Sequence, residues 1–236
     1  MEKRALAIIP ARGGSKRLPR KNVKDLNGKP LVCYSIDAAV ESGVFDTVML
    51  NSDDSEILSM ADRYESVEAC PRPARLAGDK DKVINLIIEL AQEPEIVERY
   101  SVITLLLPTC PFRGPEDLKK GFEMLSDDVD AVVSVTDYDF PYSMSVRVDD
   151  DGLVEHVFDP APLITGDTRS QDHAPVYHPN GGFYFGWRDR LVANGNYFAG
   201  KTKGYVMPRL ASVDIDDEND FRYAEHLVKS GRVGAA

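Results

Sequence analysis

The chain has 236 residues, 43% of them hydrophobic and 28% charged, with a formal net charge of −11. That length supports one substantial core, and the composition excludes disordered and collagen-like chains. The acidic balance argues against a nucleic-acid partner, because phosphate backbones are gripped by an excess of Lys and Arg, and no apolar run approaches the roughly 20 residues of a membrane-spanning helix.

Met1-Glu2-Lys3-Arg4 leads into an apolar stretch too short for a signal peptide, which predicts a cytoplasmic protein. Residues 5–9 form a continuous apolar run closed by Pro10, as in a strand buried on both faces. A basic loop with two glycines follows, Arg12 to Lys21. The spacing of Leu31, Tyr34, Ile36, Ala38, Ala39 and Val40 predicts a helix ended by Gly43. A second strand is expected at 48–50, and a helix capped by Ser55 runs to Tyr64. Further helices are expected at 83–91 and 115–125, the latter with Pro in its first turn, and strands at 102–107 and 131–135. Alternating strands and helices predict an α/β fold: three layers, a mostly parallel sheet with helices on both faces, and binding sites beyond the carboxyl ends of its strands.

From about Pro141 the pattern changes. Residues 144–148 and 153–158, joined by a Gly-containing turn, read as a hairpin. Residues 159–177 lack periodicity, and so long an irregular stretch predicts a functional arm that covers the site or grips a partner subunit. Strand patterns resume at 182–185 and 205–207, and a final helix runs over 217–229 on Phe221, Ala224, Leu227 and Val228. The whole chain therefore reads as one domain with an insertion at about 141–177.

Two clusters point to chemistry. In the basic loop, Gly13 and Gly14 allow close backbone approach to a ligand, Ser15 adds a hydroxyl, and Arg12, Lys16 and Lys21 bring positive charge. A nest of N–H groups with cations is what a triphosphate requires, although the spacing fits neither a Walker A loop nor GxGxxG. A solvated basic turn is the plain alternative. In Ser212-Val-Asp-Ile-Asp216, a strand would put Asp214 and Asp216 on one face, where two carboxylates call for a cation between them. Magnesium, which takes one or two carboxylates plus phosphates and waters, fits that pair. Asp216 or Asp217 also suits a cap for the last helix, which leaves Asp214 unexplained. Ser52, Asp53 and Asp54 follow a strand and either cap the next helix or touch ligand. His156, His173 and His178 lack a metal-ligand pattern. Cys33, Cys70 and Cys110 are odd in number and far apart, with no CxxC pair, and read as reduced and mostly buried.

Ile9-Pro-Ala-Arg-Gly-Gly-Ser-Lys-Arg-Leu-Pro-Arg-Lys-Asn22 resembles the opening signature of the acylneuraminate cytidylyltransferases, the CMP-sialic acid synthetases. The resemblance continues through Leu26–Leu31, Asn51–Asp54, Arg72–Ala77 with Asp79, Leu107–Arg113, Pro179–Tyr184 and Ser212–Asp216, in the family's order. It implies a magnesium-dependent reaction in which a sugar hydroxyl attacks the α-phosphate of CTP in line, releasing pyrophosphate. Arg12, Ser15 and Lys16 would then hold the phosphates, Lys21 would steady charge at the α-phosphate, and Asn22 and Arg72 would sit by ribose and cytosine. Asp214 and Asp216 would hold the metal. The resemblance also implies a homodimer whose hairpin insertion reaches the partner's site.

The departures lie on the sugar side. Leu107 stands where the family commonly has Gln, Tyr142 and Ser143 where a Lys often follows the Pro matching Pro141, and His178 where Arg is usual. Arg169, Gln171 and Asp172 still resemble the family's sugar loop, and Asn180 belongs to the Pro179–Tyr184 motif. A nonulosonic acid of the sialic, legionaminic or pseudaminic type is the expected acceptor. The alternatives are an octulosonate or phosphonate acceptor, or a catalytically silent nucleotide-binding regulator. The last would have lost phosphate or metal residues, and Arg12, Lys16, Lys21, Asp214 and Asp216 are all present.

Overall fold

The computed structural model describes residues 3–76, 78 and 81–233. Ala77 and Asp79 of the motif above, and the opening Met1-Glu2, lie outside them. The strands in chain order are β1 (Ala5–Pro10), β2 (Asp25–Leu26), β3 (Lys29–Pro30), β4 (Thr47–Ser52), β5 (Val67–Pro71), β6 (Val102–Leu105), β7 (Ala131–Asp137), β8 (Val146–Val148), β9 (Val154–His156), β10 (Tyr177–Trp187) and β11 (Thr202–Val206). The helices are α1 (Leu31–Ser42), α2 (Ser55–Leu58), α3 (Val83–Ala91), α4 (Pro94–Arg99), α5 (Pro115–Met124), α6 (Pro162–Thr165), α7 (Arg188–Asn194) and α8 (Glu218–Lys229).

Seven strands form the central sheet in the order β11-β7-β10-β6-β1-β4-β5. β1 runs parallel to β4 and β6, β4 to β5, and β7 to β11, whereas β10 is antiparallel to β6. The continuous apolar run of β1 explains its central place, since both of its faces are covered. Ala5, Ala7 and Ile9 pack into one core with Val32, Cys33 and Ile36 of α1 and Leu118 of α5. Leu6 and Ile8 pack into a second core with Ile87 of α3, Ile96 of α4 and Leu191 of α7. Helices therefore cover both faces, as the alternation predicts. The chain leaves β1 toward β4 on one side and returns to β6 on the other, which opens a crevice where the strand order reverses.

A third, smaller core brings together Leu18, Leu26, Leu31, Tyr34 and Phe112 with Ile215 and with Phe221, Ala224, Leu227 and Val228 of α8. Each such fully buried aliphatic side chain contributes about 1.5–3 kcal/mol.

Several expectations need correction. The helix expected to Tyr64 is α2 followed by a 3-10 turn, Ser59–Arg63, and its N-cap is Asp54 rather than Ser55. The Asp54 carboxylate accepts from the backbone N–H of Glu56 at 2.8 Å and of Ile57 at 3.3 Å. Residues 213–216 are extended but form no strand. The N–H groups of Asp216 and Asp217 are taken by the Asp220 carboxylate at 2.9 and 3.0 Å, in the cap of α8, and so are withdrawn from any ladder. Strand β5 and helices α4 and α7 were not expected; β5 is a half-exposed edge without a continuous apolar run.

The chain divides into two compact units, Met1–Val135 with Pro179–Ala236, and Thr136–His178. The second unit holds the β8–β9 hairpin, with Val146 opposite His156 and Val148 opposite Val154, and the short α6. The hairpin turn is fixed by Asp149, whose carboxylate accepts from the N–H of Asp151 and Leu153, and by Gly152 at a φ of 81°. Among the described residues, no helix is long and apolar enough to cross a membrane.

Candidate active site

The basic loop leaves β1 while still tied to β4, through the Ala11 N–H and the Asn51 carbonyl at 2.9 Å. It cannot swing free, because Leu18 in its middle is 3% exposed and fixed in the third core. The Asn22 side chain, 6% exposed, donates to the Arg12 carbonyl at 2.9 Å and braces the loop. Gly13 donates its N–H to the Asp53 carboxylate at 2.9 Å, and a Cβ there would stand 2.7 Å from Asp54 Oδ2, so the loop's course needs a glycine at this point. At Gly14 a Cβ would meet nothing within 4 Å. The triplet after β4 is thus divided: Asp54 caps α2, while Asp53 holds the loop.

Arg20, in the left-handed region at φ 55°, opens a 3-10 turn, Lys21–Val23, that carries Lys21 inward. The Lys21 ammonium donates to the Ile215 carbonyl at 2.7 Å and lies 3.4 Å from Asp216 Oδ1. Arg17 pairs with the same carboxylate oxygen at 2.9 Å. The opposing wall is the extended stretch before α8. Val213 and Ile215 turn into the third core, and that alternation leaves Asp214 and Asp216 on the cleft side. Asp214 is open to the cleft yet ringed by protein. That partial desolvation raises its carboxyl above the usual range; the Thr109 hydroxyl opposes the shift, Asp216 adds to it and Lys21 opposes it.

Between the two walls lies a cleft of about 440 Å³. Arg12, Ser15, Lys16, Lys21 and Asn22 line one side, Asp214 and Asp216 the other, and Leu107, Pro108 and Thr109 follow β6 into it. Arg72, just past β5, completes it, with Nε donating to Asn51 Oδ1 at 2.7 Å. Burial lowers the basicity of Arg72, Asp53 opposes that shift, and Arg12 adds to it. The cleft thus sits at the carboxyl ends of parallel strands beside the switch point.

Nine of the residues singled out in the sequence share this cleft: Arg12, Ser15, Lys16, Lys21, Asn22, Arg72, Leu107, Asp214 and Asp216. Gly13 and Gly14 shape the loop behind it. Asn180 is not brought to it. That side chain is 3% exposed, donates to Ser212 Oγ at 2.8 Å, and accepts from the Gly182 N–H at 3.1 Å, so its amide ties β10 to the turn before the acidic stretch. Arg169, Gln171 and His178 lie in the Thr136–His178 unit. The first two are exposed, and the His178 ring packs on Tyr138 with centroids 4.7 Å apart. His173 is engaged within that unit by Ser143 and the Asp167 carbonyl.

Several cleft residues carried no assigned role in the sequence, among them Arg17, Asp81, Lys82 and Thr109. Arg17 lay within the quoted basic run without a role, and Lys82 carried no signal beyond its charge. Thr109 lay within the quoted Leu107–Arg113 motif without a role of its own, because its part depends on Asp214 meeting it.

The site offers cations, the Ser15 side chain and paired carboxylates, groups that suit an oligophosphate with a hard divalent ion. Among the described residues, no group of three or more His, Cys, Asp or Glu gathers as a metal site. The Asp214–Asp216 pair suits an ion that takes its remaining ligands from phosphate and water. Cys110, the thiol nearest the acidic wall, is fully buried, and its pKa is raised to about 11 by desolvation, so it offers no thiolate nucleophile.

A family model described as cytidylyltransferase matches residues 6–221. The pseudaminic acid cytidylyltransferase of Campylobacter jejuni is 34% identical over 228 residues, covering 95% of this chain and 96% of that one. The CMP-N,N'-diacetyllegionaminic acid synthase of Legionella pneumophila is 31% identical over 232 residues, covering 96% and 97%. Among solved structures, a CMP:2-keto-3-deoxy-manno-octonic acid synthetase complexed with CTP is similar at a TM-score of 0.68 and 17% identity, covering 97% of this chain and 100% of that one; at that identity the likeness speaks to fold alone.

Proposed function

The chain belongs to the cytidylyltransferase family, and we propose that it transfers CMP from CTP to the hydroxyl of a nonulosonic acid, releasing pyrophosphate. The observation that carries this reading is the meeting of the early cationic loop with the late acidic stretch in one cleft, across the 2.7 Å hydrogen bond from Lys21 to the Ile215 carbonyl. Arg12, Ser15 and Lys16 hold the triphosphate, and Arg72 and Asn22 stand on the nucleoside side. Lys21 steadies charge at the α-phosphate as the acceptor oxygen bonds to phosphorus and pyrophosphate departs. Asp214 and Asp216 would hold magnesium, whose chemistry there is to polarise the α-phosphate and neutralise the leaving group. No covalent intermediate is needed, because positioning and electrostatics lower the barrier of an in-line displacement.

A pseudaminate-type acceptor is the first to test, on the relative's name and on Leu107, which puts an apolar side chain on the cleft wall where the sialic-acid pattern has Gln. We assign the Thr136–His178 unit to contact with a second copy of the chain, and Arg169, Gln171 and His178 within it to acceptor recognition. Its hairpin bares Val148, Leu153 and Val154 at 60–65% exposure, and Ile164 is 74% exposed, an apolar surface that a homodimer would cover. A cytoplasmic site of action fits the three unpaired cysteines.

The test is pyrophosphate release from CTP with magnesium against sialic, legionaminic, pseudaminic, octulosonic and phosphonic acids. Release with a nonulosonic acid supports the reading, and release only with an octulosonic or phosphonic acid replaces it. Light scattering of the purified chain gives the oligomeric state.

A further inference from the structure

The turn that carries Leu107, Pro108 and Thr109 into the cleft is built on a guanidinium sealed from solvent. Arg113 is 0% exposed. Its Nη1 donates to the Leu107 carbonyl at 2.9 Å and the Cys110 carbonyl at 2.7 Å, and Nη2 donates to the Ser35 hydroxyl on α1. Nε has no partner, and no partner of the side chain is a carboxylate, among the described residues. Burial lowers its pKa to about 10, so it keeps its proton at neutral pH.

Asp117 is the nearby carboxylate that favours the charge, but it does not bond the guanidinium; a buried charge without a directly bonded acid is costly, and a tie between core elements is made more cheaply by apolar side chains of similar volume. A rigid fork, however, can fix two carbonyls of one turn and a hydroxyl on a neighbouring helix at the same time, which the single ammonium of a Lys cannot reproduce. The turn so fixed grips the acidic wall. The Thr109 carbonyl accepts from the Ile215 N–H at 2.8 Å, between the two carboxylates, and the Thr109 side chain stands beside Asp214 in the cleft, where it favours the charged carboxylate.

We propose that Arg113 is a positioning residue for cytidylyl transfer, holding Asp214 and Asp216, through the 107–110 turn, in the geometry that takes the divalent ion. This rests on the function proposed above. Arg113 itself touches neither substrate nor metal; its effect passes through Thr109.

The test measures Mn²⁺ binding by electron paramagnetic resonance of the free ion in the presence of CTP, alongside metal-free CTP binding and thermal midpoints. Arg113→Lys and Thr109→Val are compared with Leu191→Ala, a core truncation on the other side of the sheet. Both site variants are expected to weaken Mn²⁺ binding by about 10–100-fold, the usual loss when an outer partner of a metal ligand is removed, with metal-free CTP binding unchanged. Leu191→Ala is expected to lower the midpoint and keep Mn²⁺ affinity. Wild-type Mn²⁺ affinity in Arg113→Lys despite a lowered midpoint would show a purely structural role and overturn the proposal. The same affinity in Thr109→Val would also overturn it, and that variant decides the matter if Arg113→Lys does not fold. If the wild-type chain binds no Mn²⁺ with CTP, the metal reading of the cleft fails and takes this inference with it.

Discussion

Leu18, in the middle of the basic loop, and Ile215, between the two cleft carboxylates, are buried in the same apolar cluster. The charges that face each other across the cleft are held there by two aliphatic side chains packed behind them. Without that anchor, repulsion among Arg12, Lys16, Arg17 and Lys21 would spread the loop. Leu18→Ala is expected to cost about 2–5 kcal/mol, as for other buried leucines, and to weaken CTP binding. Urea denaturation and CTP titration measure the two, and wild-type CTP affinity at the lowered stability would show that the loop needs no anchor.

Asp214→Asn and Asp216→Asn each keep the size of the side chain and remove a charge. Turnover is expected to fall by at least about a hundredfold, in line with a metal's contribution of several kcal/mol, while circular dichroism stays native. Full activity in both variants would remove the metal assignment.

Leu107→Gln combined with His178→Arg restores two polar groups of the sialic-acid pattern. Acceptor preference should move toward N-acetylneuraminate by about tenfold or more, because unmatched polar groups discriminate strongly, while the KM for CTP stays put. An unchanged acceptor profile would mean that neither position reads the sugar.

The two loop glycines should separate. Gly13→Ala drives a methyl group into the Asp54 side chain, which caps α2, at an expected cost of about 1–3 kcal/mol and with weaker nucleotide binding. Gly14→Ala points into open space and should be close to neutral. Equal behaviour of the two variants would contradict the loop's course.

Alkaline pH should bear on Cys110. Desolvation is the main cause that raises its thiol from 9.0 to about 11, with Asp214 and Asp117 adding to the shift and Arg113 opposing it. The unfolded chain releases this proton first, so the stabilisation is full below pH 9 and is lost as pH rises through about 11, at a slope of at most about 1.4 kcal/mol per pH unit. Cys110→Ala should flatten the pH dependence of the urea midpoint across that window. An identical slope in variant and wild type would show that the thiol ionises freely in the fold.

Periodicity made most of the sheet legible, because β1, β6 and β7 are apolar on both faces and α3 and α8 carry clear stripes. Strand β5 escaped, since an edge strand with only partly buried side chains has no such run. The two charged clusters were visible as clusters, but their meeting was not, since it depends on where Leu18 and Ile215 pack. The hydrogen bonds of Asn180 were not legible, because a motif match does not say which groups an amide meets in the fold. Arg113 shows the same gap from the other side: a charged residue in sequence suggests solvent, and only the packing of α1 on α5 shows it to be enclosed.

The Lys21–Ile215 hydrogen bond joins positions near opposite ends of the chain. During synthesis β1 and the basic loop emerge first and the acidic wall only after β11, so the nucleotide cleft is completed late. A nascent or proteolytically shortened chain that stops before Asp214 would lack both carboxylates and, with Ile215 and α8 missing, the apolar anchor of Leu18, so it would neither order the phosphate-holding loop nor turn CTP over.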